Sequence, residues 1–294
     1  MSPFKRILAI TDLSAPARHA VQRAAMVSSE TLLPLDLLHV AHLAPLERVR
    51  KLLEPNVESL GARVLDAAKQ KLIELAGTLQ ARYGVEAGVR VAEGSVFTEV
   101  AQEAKRLTGG LVVCGSRGES IVRHFVLGTT ALRLLSTTAC PVLVVKQPPH
   151  EPYRKILIAV DFSPSSLLSV QQARSLAPDA QLILLHAYEA PFESHLRYAS
   201  VDEDTIAQYQ AAAKREAQQK LHALRSDAGI EISRCQLVLV HGNPAMRTIQ
   251  HETEVDADLI VMGKHGETLM EELLLGSVTK QVLADCQSDL LVTV

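Results

Sequence analysis

The chain has 294 residues, of which 47% are hydrophobic and 21% are charged. At roughly 100 to 200 residues per domain, this length predicts about two domains, each large enough to bury a core. Thirty basic and 33 acidic residues give a formal net charge of −3; such a chain has no summed positive field for a polyanion, so nucleic acid is not expected as a partner. The 4 cysteines are dispersed and form no C-x-x-C pair, which argues against a disulfide framework or a zinc site.

The first apolar segment, Ile7–Ile10, ends at Thr11 and Asp12. It is too short for the apolar region of a signal peptide, which spans roughly 7 to 15 residues, and it predicts a first strand. No stretch approaches the ~20 apolar residues of a membrane span. We therefore expect a cytoplasmic protein without a transmembrane segment.

Short apolar runs then alternate with helical patterns, which is typical of parallel strands joined by crossover helices. The first half of the chain predicts strands near residues 5–11, 34–41, 88–92, 111–115 and 142–146, and helices near 14–29, 56–83, 95–107 and 128–137. Because the strands are apolar without alternation, both faces of the sheet should be covered.

The chain repeats itself. The segment Phe4–Ser14 returns as Tyr153–Ser163, and the run that ends at Gly115 returns as the run that ends at Gly263. A period near 148 residues is too long for a solenoid repeat of roughly 20 to 50 residues, so each copy should be a whole domain. Prolines between the copies indicate a short, stiff linker, and the predicted domains are residues 1–147 and 153–294.

Both copies carry the pattern G-x2-G-x9-G-[ST] after an apolar strand. It reads Gly115, Gly118, Gly128 and Thr129 in the first copy, and Gly263, Gly266, Gly276 and Ser277 in the second. Glycines let the backbone approach a ligand closely, and the helix that follows offers amide hydrogens to an anion. The pattern favours a phosphate site in each copy, although a pair of ordinary turns would also explain it.

These motifs resemble those of the universal stress protein family in its tandem, two-domain form. The resemblance is carried by Ile7–Asp12 and Ile156–Asp161 as first strands, by Leu127–Thr130 and Leu273–Thr279 at the phosphate helices, by the turn Gly242–Pro244 and by the last strand Cys140–Val145. It implies α/β architecture with two tandem, open-sheet, Rossmann-like domains of the adenine nucleotide alpha-hydrolase type. Each would be a five-stranded parallel sheet with helices on both faces.

The resemblance also implies that ATP, with Mg²⁺, lies across the loops of each domain. Asp12 and Asp161 would face the adenosine end, with Val40 and Ala187 near the adenine. The phosphates would be held by Gly115, Gly118, Gly128, Thr129 and Thr130 in the first copy, and by Gly263, Gly266, Gly276, Ser277 and Thr279 in the second. The alternative for both aspartates is a cap on the following helix.

The chain has no P-loop, no G-x-S-x-G elbow and no H-E-x-x-H motif, so the usual residues of NTPases, hydrolases and zinc proteases are missing. His39 and His186 stand at matching strand ends, where a packing or loop role is favoured over general-base work. We expect an ATP-binding sensor or regulator of the stress response, at most a slow ATPase. The alternatives are a nucleotide-independent interaction or lipid-binding scaffold of the same fold, and an ATP-dependent transferase.

The two glycine segments differ in charge. Formal charges sum to +1 from Gly115 to Thr129 and to −2 from Gly263 to Ser277, where Lys264 is the one cation counted. Because negative charge opposes a triphosphate, the first site is predicted to be the more receptive to phosphate.

The last strand of each copy is apolar and would leave an exposed edge if unpaired. The resemblance implies that such edges pair between domains. We therefore expect the copies to pack as a pseudo-twofold dimer within the chain, which could dimerise again as a homodimer.

Overall fold

The computed structural model describes residues 3–43, 60–106, 109–116, 129–188, 198, 201–266 and 275–294. In the first copy these residues form strands β1 (Arg6–Ile10), β2 (Leu35–Ala41), β3 (Ala87–Glu93), β4 (Gly110–Gly115) and β5 (Val142–Val145), and helices α1 (Ala15–Thr31), α2 (Leu60–Tyr83), α3 (Val96–Arg106) and α4 (Thr129–Thr137). The predicted strands agree with these bounds to within one residue. Residues 56–59, 107 and 128 of the predicted helices lie outside the described residues.

The second copy repeats this order. Its strands are β6 (Lys155–Ala159), β7 (Gln181–Tyr188), β8 (Cys235–His241), β9 (Leu259–Gly263) and β10 (Asp289–Thr293), and its helices are α5 (Pro164–Leu176), α6 (Glu203–Asp227), α7 (Pro244–Val255) and α8 (Ser277–Asp285). Among the described residues, no helix combines the length and the apolar character needed to cross a membrane.

Local signals set several helix ends. The Ser14 side chain accepts a hydrogen bond from Ala17 N at 3.3 Å, which makes it the predicted cap of α1. The Asp202 carboxylate accepts one from Thr205 N at 2.8 Å at the start of α6. Gly229 follows that helix at φ +62°, a left-handed conformation that favours glycine and stops the helix.

The strands form one sheet in the order β3-β2-β1-β4-β5-β10-β9-β6-β7-β8. Within each copy the neighbouring strands are parallel, as predicted for two open Rossmann-like units. β5 and β10 pair antiparallel, with Leu143 opposite Leu291. The apolar last strands thus cover each other, and the two five-stranded sheets are continuous.

Side chains alternate between two hydrophobic clusters, one on each face of the sheet. Ile7 and Ala9 pack in one cluster, and Leu8 and Ile10 pack in the other. Each cluster runs through both copies. Burial on both faces explains why the inner strands are apolar without alternation, while the edge strands β3 and β8 are largely exposed or half-buried.

A buried carboxylate forms hydrogen bonds with the linker where the two copies meet. Asp289, at the start of β10, is 1% exposed. Its Oδ1 accepts from the backbone N of Lys146 at 2.7 Å and of Gln147 at 3.2 Å. Its Oδ2 accepts from the Tyr153 hydroxyl at 2.6 Å and lies 3.3 Å from Arg23 Nε.

Candidate functional site

A cavity of about 190 Å³ lies at the carboxyl ends of β6 and β9 in the second copy. The strand order reverses between these two strands, and open α/β sheets bind ligands at such a reversal. The cavity is lined by all seven residues that the sequence singles out in the second copy, namely Asp161, Ala187, Gly263, Gly266, Gly276, Ser277 and Thr279. The fold therefore brings the predicted set together from three strand ends and one helix start.

Asp161 forms the turn between β6 and α5 with one carboxylate oxygen. Its Oδ1 accepts hydrogen bonds from Ser163 N at 3.0 Å, Ser163 Oγ at 2.5 Å and Ser166 Oγ at 2.9 Å. A Cβ placed on Gly266 would lie 3.2 Å from the other oxygen, Oδ2. The alternative of a helix cap does not describe Asp161, because Ser163 is the N-cap of α5. Oδ1 holds the turn before that cap, while Oδ2 faces the glycine loop of the cavity.

The glycines at the cavity are required by close packing. A Cβ on Gly263 would lie 2.9 Å from Ser165 Oγ and 3.1 Å from His265 O, and one on Gly276 would lie 3.3 Å from Lys264 O. These positions admit the backbone but leave little room for a side chain. The loop and the start of α8 are thereby held close together.

Thr279 has a structural task in this loop. It is 3% exposed, and its Oγ1 donates to Gly263 O at 3.0 Å. Since the hydroxyl proton is committed to that carbonyl, Thr279 holds the glycine loop rather than offering a donor to the cavity. The backbone amides of the first turn of α8 lack intrahelical partners and can donate to an anion.

Two histidines occupy equivalent places beside the two aspartates. His39 Nδ1 lies 2.9 Å from Thr11 O, and His186 Nδ1 lies 2.8 Å from Val160 O. Burial is the main cause that lowers the pKa of His186, which favours its neutral form. Both rings hold the loop after a strand, which is the role that the sequence favours.

The predicted residues of the first copy are described in part. Asp12 follows β1 and is exposed, Val40 is buried in β2, and Gly115 ends β4. Asp12 Oδ1 accepts from Ser14 N at 3.0 Å. Thr130 is exposed in the first turn of α4. Thr129 begins that helix, while its side chain, Gly118 and Gly128 lie outside the described residues.

Sequence reasoning misses two serines of the cavity. Ser165 and Ser166 line it, and the positions that match them in the first copy are Pro16 and Ala17. A comparison of the two copies after their aspartates would have found these hydroxyl groups.

The charge count at the second site needs a correction. Lys264 is 3% exposed, and its Nζ donates to Ser136 O at 3.3 Å and to Thr138 O at 3.4 Å. The one cation counted near the phosphates is therefore directed at the first copy. The glutamates of the same segment, Glu267, Glu271 and Glu272, lie outside the described residues.

These features define a doubly wound α/β protein with two equivalent units and a candidate anion site at the strand reversal of the second. A sequence model described as the universal stress protein family matches residues 3–146 and 152–293. The chain belongs to the universal stress protein family and carries two copies of its domain.

Known relatives agree with this assignment. Universal stress protein Rv2005c from Mycobacterium tuberculosis is 26% identical over 248 residues, which cover 78% of this chain and 77% of the relative. A solved universal stress protein from Archaeoglobus fulgidus superposes with a TM-score of 0.70 at 20% identity and covers 98% of each chain. A solved putative universal stress protein from Pseudomonas aeruginosa gives 0.63 at 20% identity, covering 99% of this chain and 93% of that one. The two structures share the fold.

Proposed function

We propose that the second copy binds ATP in the cavity at β6 and β9, and that the protein is an ATP-binding regulator of the stress response with little or no turnover. The observation that carries this proposal is the convergence of seven predicted residues on one cavity. The first copy is proposed to hold a second ATP at its own glycine segment.

The lining of the cavity suits a nucleotide. Apolar side chains of Leu185, Met262 and Val278 contribute to its wall and would contact a base, while a few polar groups would fix its orientation. In this proposal Asp161 Oδ2 would accept from a sugar hydroxyl, and the first turn of α8 would bind phosphate. The cavity of about 190 Å³ is smaller than the usual ligand pocket of roughly 300 to 1,000 Å³. Residues 267–274, between Gly266 and Gly276 of the glycine pattern, lie outside the described residues.

Binding without rapid turnover is proposed because the chain lacks the P-loop residues of the usual NTPases. His186 lines the cavity with its Nδ1 engaged with Val160 O. Mg²⁺ enters the proposal as a counterion of the phosphates. Within the described residues no cluster of three or more His, Cys, Asp or Glu could hold a metal ion, so the ion would depend on phosphate oxygens.

The test begins with freshly purified protein, which is denatured so that released nucleotide can be quantified by chromatography and mass spectrometry. Calorimetric titration with ATP and Mg²⁺ follows. About one or two ATP per chain supports the proposal. Absence of both nucleotide and titration heat would refute it and would favour the nucleotide-independent interaction or lipid-binding scaffold.

The variant Asp161→Ala locates the bound ATP. Loss of a hydrogen bond to a charged group is worth about 1.5–3 kcal/mol, so binding at the second site should weaken roughly 10- to 150-fold. Asp12→Ala is the matched variant of the first copy and should weaken ATP binding chiefly at the first site. If Asp161→Ala binds like the wild type, the assignment of this residue is wrong.

We also propose that residues 1–147 and 153–294 are the two domains, and that they form a pseudo-twofold dimer within one cytoplasmic chain. The antiparallel pairing of β5 with β10 supports this arrangement, because it joins equivalent strands of the two copies. Small-angle scattering would contradict it by showing two domains without contact, and light scattering would decide whether a homodimer forms.

A further inference from the structure

Lys264 belongs to the glycine loop of the second copy, yet its side chain reaches the first copy. The residue follows Gly263, which lines the cavity. Its Nζ donates to Ser136 O and Thr138 O at the carboxyl end of α4. The last carbonyls of a helix lack intrahelical partners, and a cation at that end is favourable. Lys264 thus caps the helix that begins at the candidate phosphate site of the first copy.

The backbone of Lys264 is tied to the second site itself. Its N donates to Thr293 O at 2.8 Å, and its O accepts from Gly276 N at 3.0 Å. Gly276 is the residue before α8 and lines the cavity. A phosphate that orders the start of α8 would therefore also order the backbone of Lys264.

A lysine of the first copy caps α8 in return. Lys146 Nζ donates to Leu283 O at 2.7 Å and to Cys286 O at 2.6 Å, at the carboxyl end of that helix. The two lysines are not equivalent positions of the repeat, because Lys264 corresponds to Ser116 and Lys146 follows the last strand of its copy. The reciprocal capping of α4 and α8 by these two lysines is therefore not a product of the duplication. Of the two lysines, only Lys264 belongs to a glycine loop.

We infer that Lys264 is a positioning residue that couples the two sites, an inference that rests on the proposed function. ATP bound on the loop at Gly263 and Gly266 holds Lys264 against the end of α4. This stabilises α4, which begins next to Gly128 of the predicted phosphate site of the first copy, so occupancy of the second site favours occupancy of the first. Coupling between sites typically amounts to roughly 5- to 150-fold in affinity.

Amide hydrogen exchange of α4 tests the coupling. Gly128→Asp places a negative charge at the predicted phosphate site of the first copy and leaves the second site to bind ATP. In this variant, ATP with Mg²⁺ should slow exchange of residues 129–137 roughly fivefold or more. Adding Lys264→Met, which keeps the aliphatic stem and removes the ammonium group, should abolish most of this response.

Further variants separate coupling from stability. Lys264→Arg keeps the cation and should retain the response of α4 to ATP, whereas Lys264→Gln should lose this response. The exposed Lys214→Met serves as a matched control and should retain the response. Faster exchange of α4 in Lys264→Met with an unchanged response to ATP would mean a purely structural role and would overturn the inference.

Calorimetry on the same samples distinguishes failure of the coupling from failure of the proposed ATP binding. Bound ATP without any response of α4 overturns the coupling alone. No bound ATP overturns the proposed function and the coupling together.

Discussion

Replacement of Asp289 by alanine should destabilise the joint between the two copies more than any exposed substitution. The side chain lies at the start of β10, next to the antiparallel pair that makes the sheet continuous. Both of its oxygens are engaged, one with the two amides of the linker and the other with Tyr153 and Arg23.

The magnitude follows from burial. Asp289 is 1% exposed and Arg23 is 6% exposed, so both charged groups are largely withdrawn from water. Arg23 would keep Glu151 O at 2.8 Å and the face of the Tyr153 ring at 4.0 Å, but it would lose its counterion. Breaking a buried ion pair by removing one partner costs about 3–5 kcal/mol, and we expect a loss of this size in the free energy of unfolding.

Urea denaturation followed by circular dichroism and by Tyr fluorescence measures the effect and shows whether the two copies still unfold together. The exposed Asp285→Ala should change stability by no more than about 0.5 kcal/mol. The double variant Arg23→Met/Asp289→Ala should recover part of the loss, because it removes the unpaired charge. A loss below about 1 kcal/mol in Asp289→Ala would refute the reasoning.

Three other predictions concern alkaline pH, the two sites and the thiols. Burial, followed by the neighbouring Asp289, raises the pKa of Tyr153 well above 10. Because the phenol of the unfolded chain titrates near 10, the stability that this shift contributes is complete below about pH 10 and is lost as the pH rises. The free energy of unfolding should therefore fall more steeply above pH 10 in the wild type than in Tyr153→Phe. Gly276→Asp and Gly128→Asp should bind the remaining ATP with different affinities by calorimetry, tighter in Gly276→Asp if the first site is the more receptive; equal affinities would remove that ranking. Burial raises the pKa of Cys114 to about 12, so an aromatic disulfide reagent at pH 8 should label it only after denaturation; rapid labelling of the native protein would show that the strand opens.

The sequence predicts most of the fold because its signals are local. Apolar runs such as Leu111–Cys114 mark strands, and the return of Ile7–Asp12 as Ile156–Asp161 marks the duplication. Strand order and register follow from long-range packing, which no local pattern encodes. The antiparallel pairing of β5 with β10 could be expected only from the resemblance and from the need to cover two apolar edges.

The candidate site is predicted less completely, for a physical reason. The repeated spacing of the glycines predicts that Gly263 and Gly276 belong to one site, and both line the cavity. A lysine can extend in any direction, and sequence proximity placed Lys264 at the phosphates although its ammonium group caps a helix of the other copy. Thr279 likewise has the residue type of a phosphate donor but gives its proton to Gly263 O.

The two copies share the backbone conformation of the turn after the aspartate but differ in the side chains that follow this turn. Leu13 and Phe162, the residues after the two aspartates, both adopt φ 65°, and His39 and His186 bind equivalent carbonyls. The turn is therefore a property of the repeated unit. Its hydroxyl groups are not, because Ser165 and Ser166 replace Pro16 and Ala17.

This difference bears on which of the two proposed sites would bind ATP more tightly. Formal charge favours the first site, whereas the second offers the hydroxyl of Ser165 and an aspartate whose orientation is fixed by Ser163 and Ser166. Exposed charges act through water and are screened by salt, while preorganised hydrogen bonds at a partly buried site are not. If charge dominates, the order of the two affinities should weaken or reverse as salt is raised; if the fixed hydroxyl groups dominate, the second site should remain the tighter one at every ionic strength.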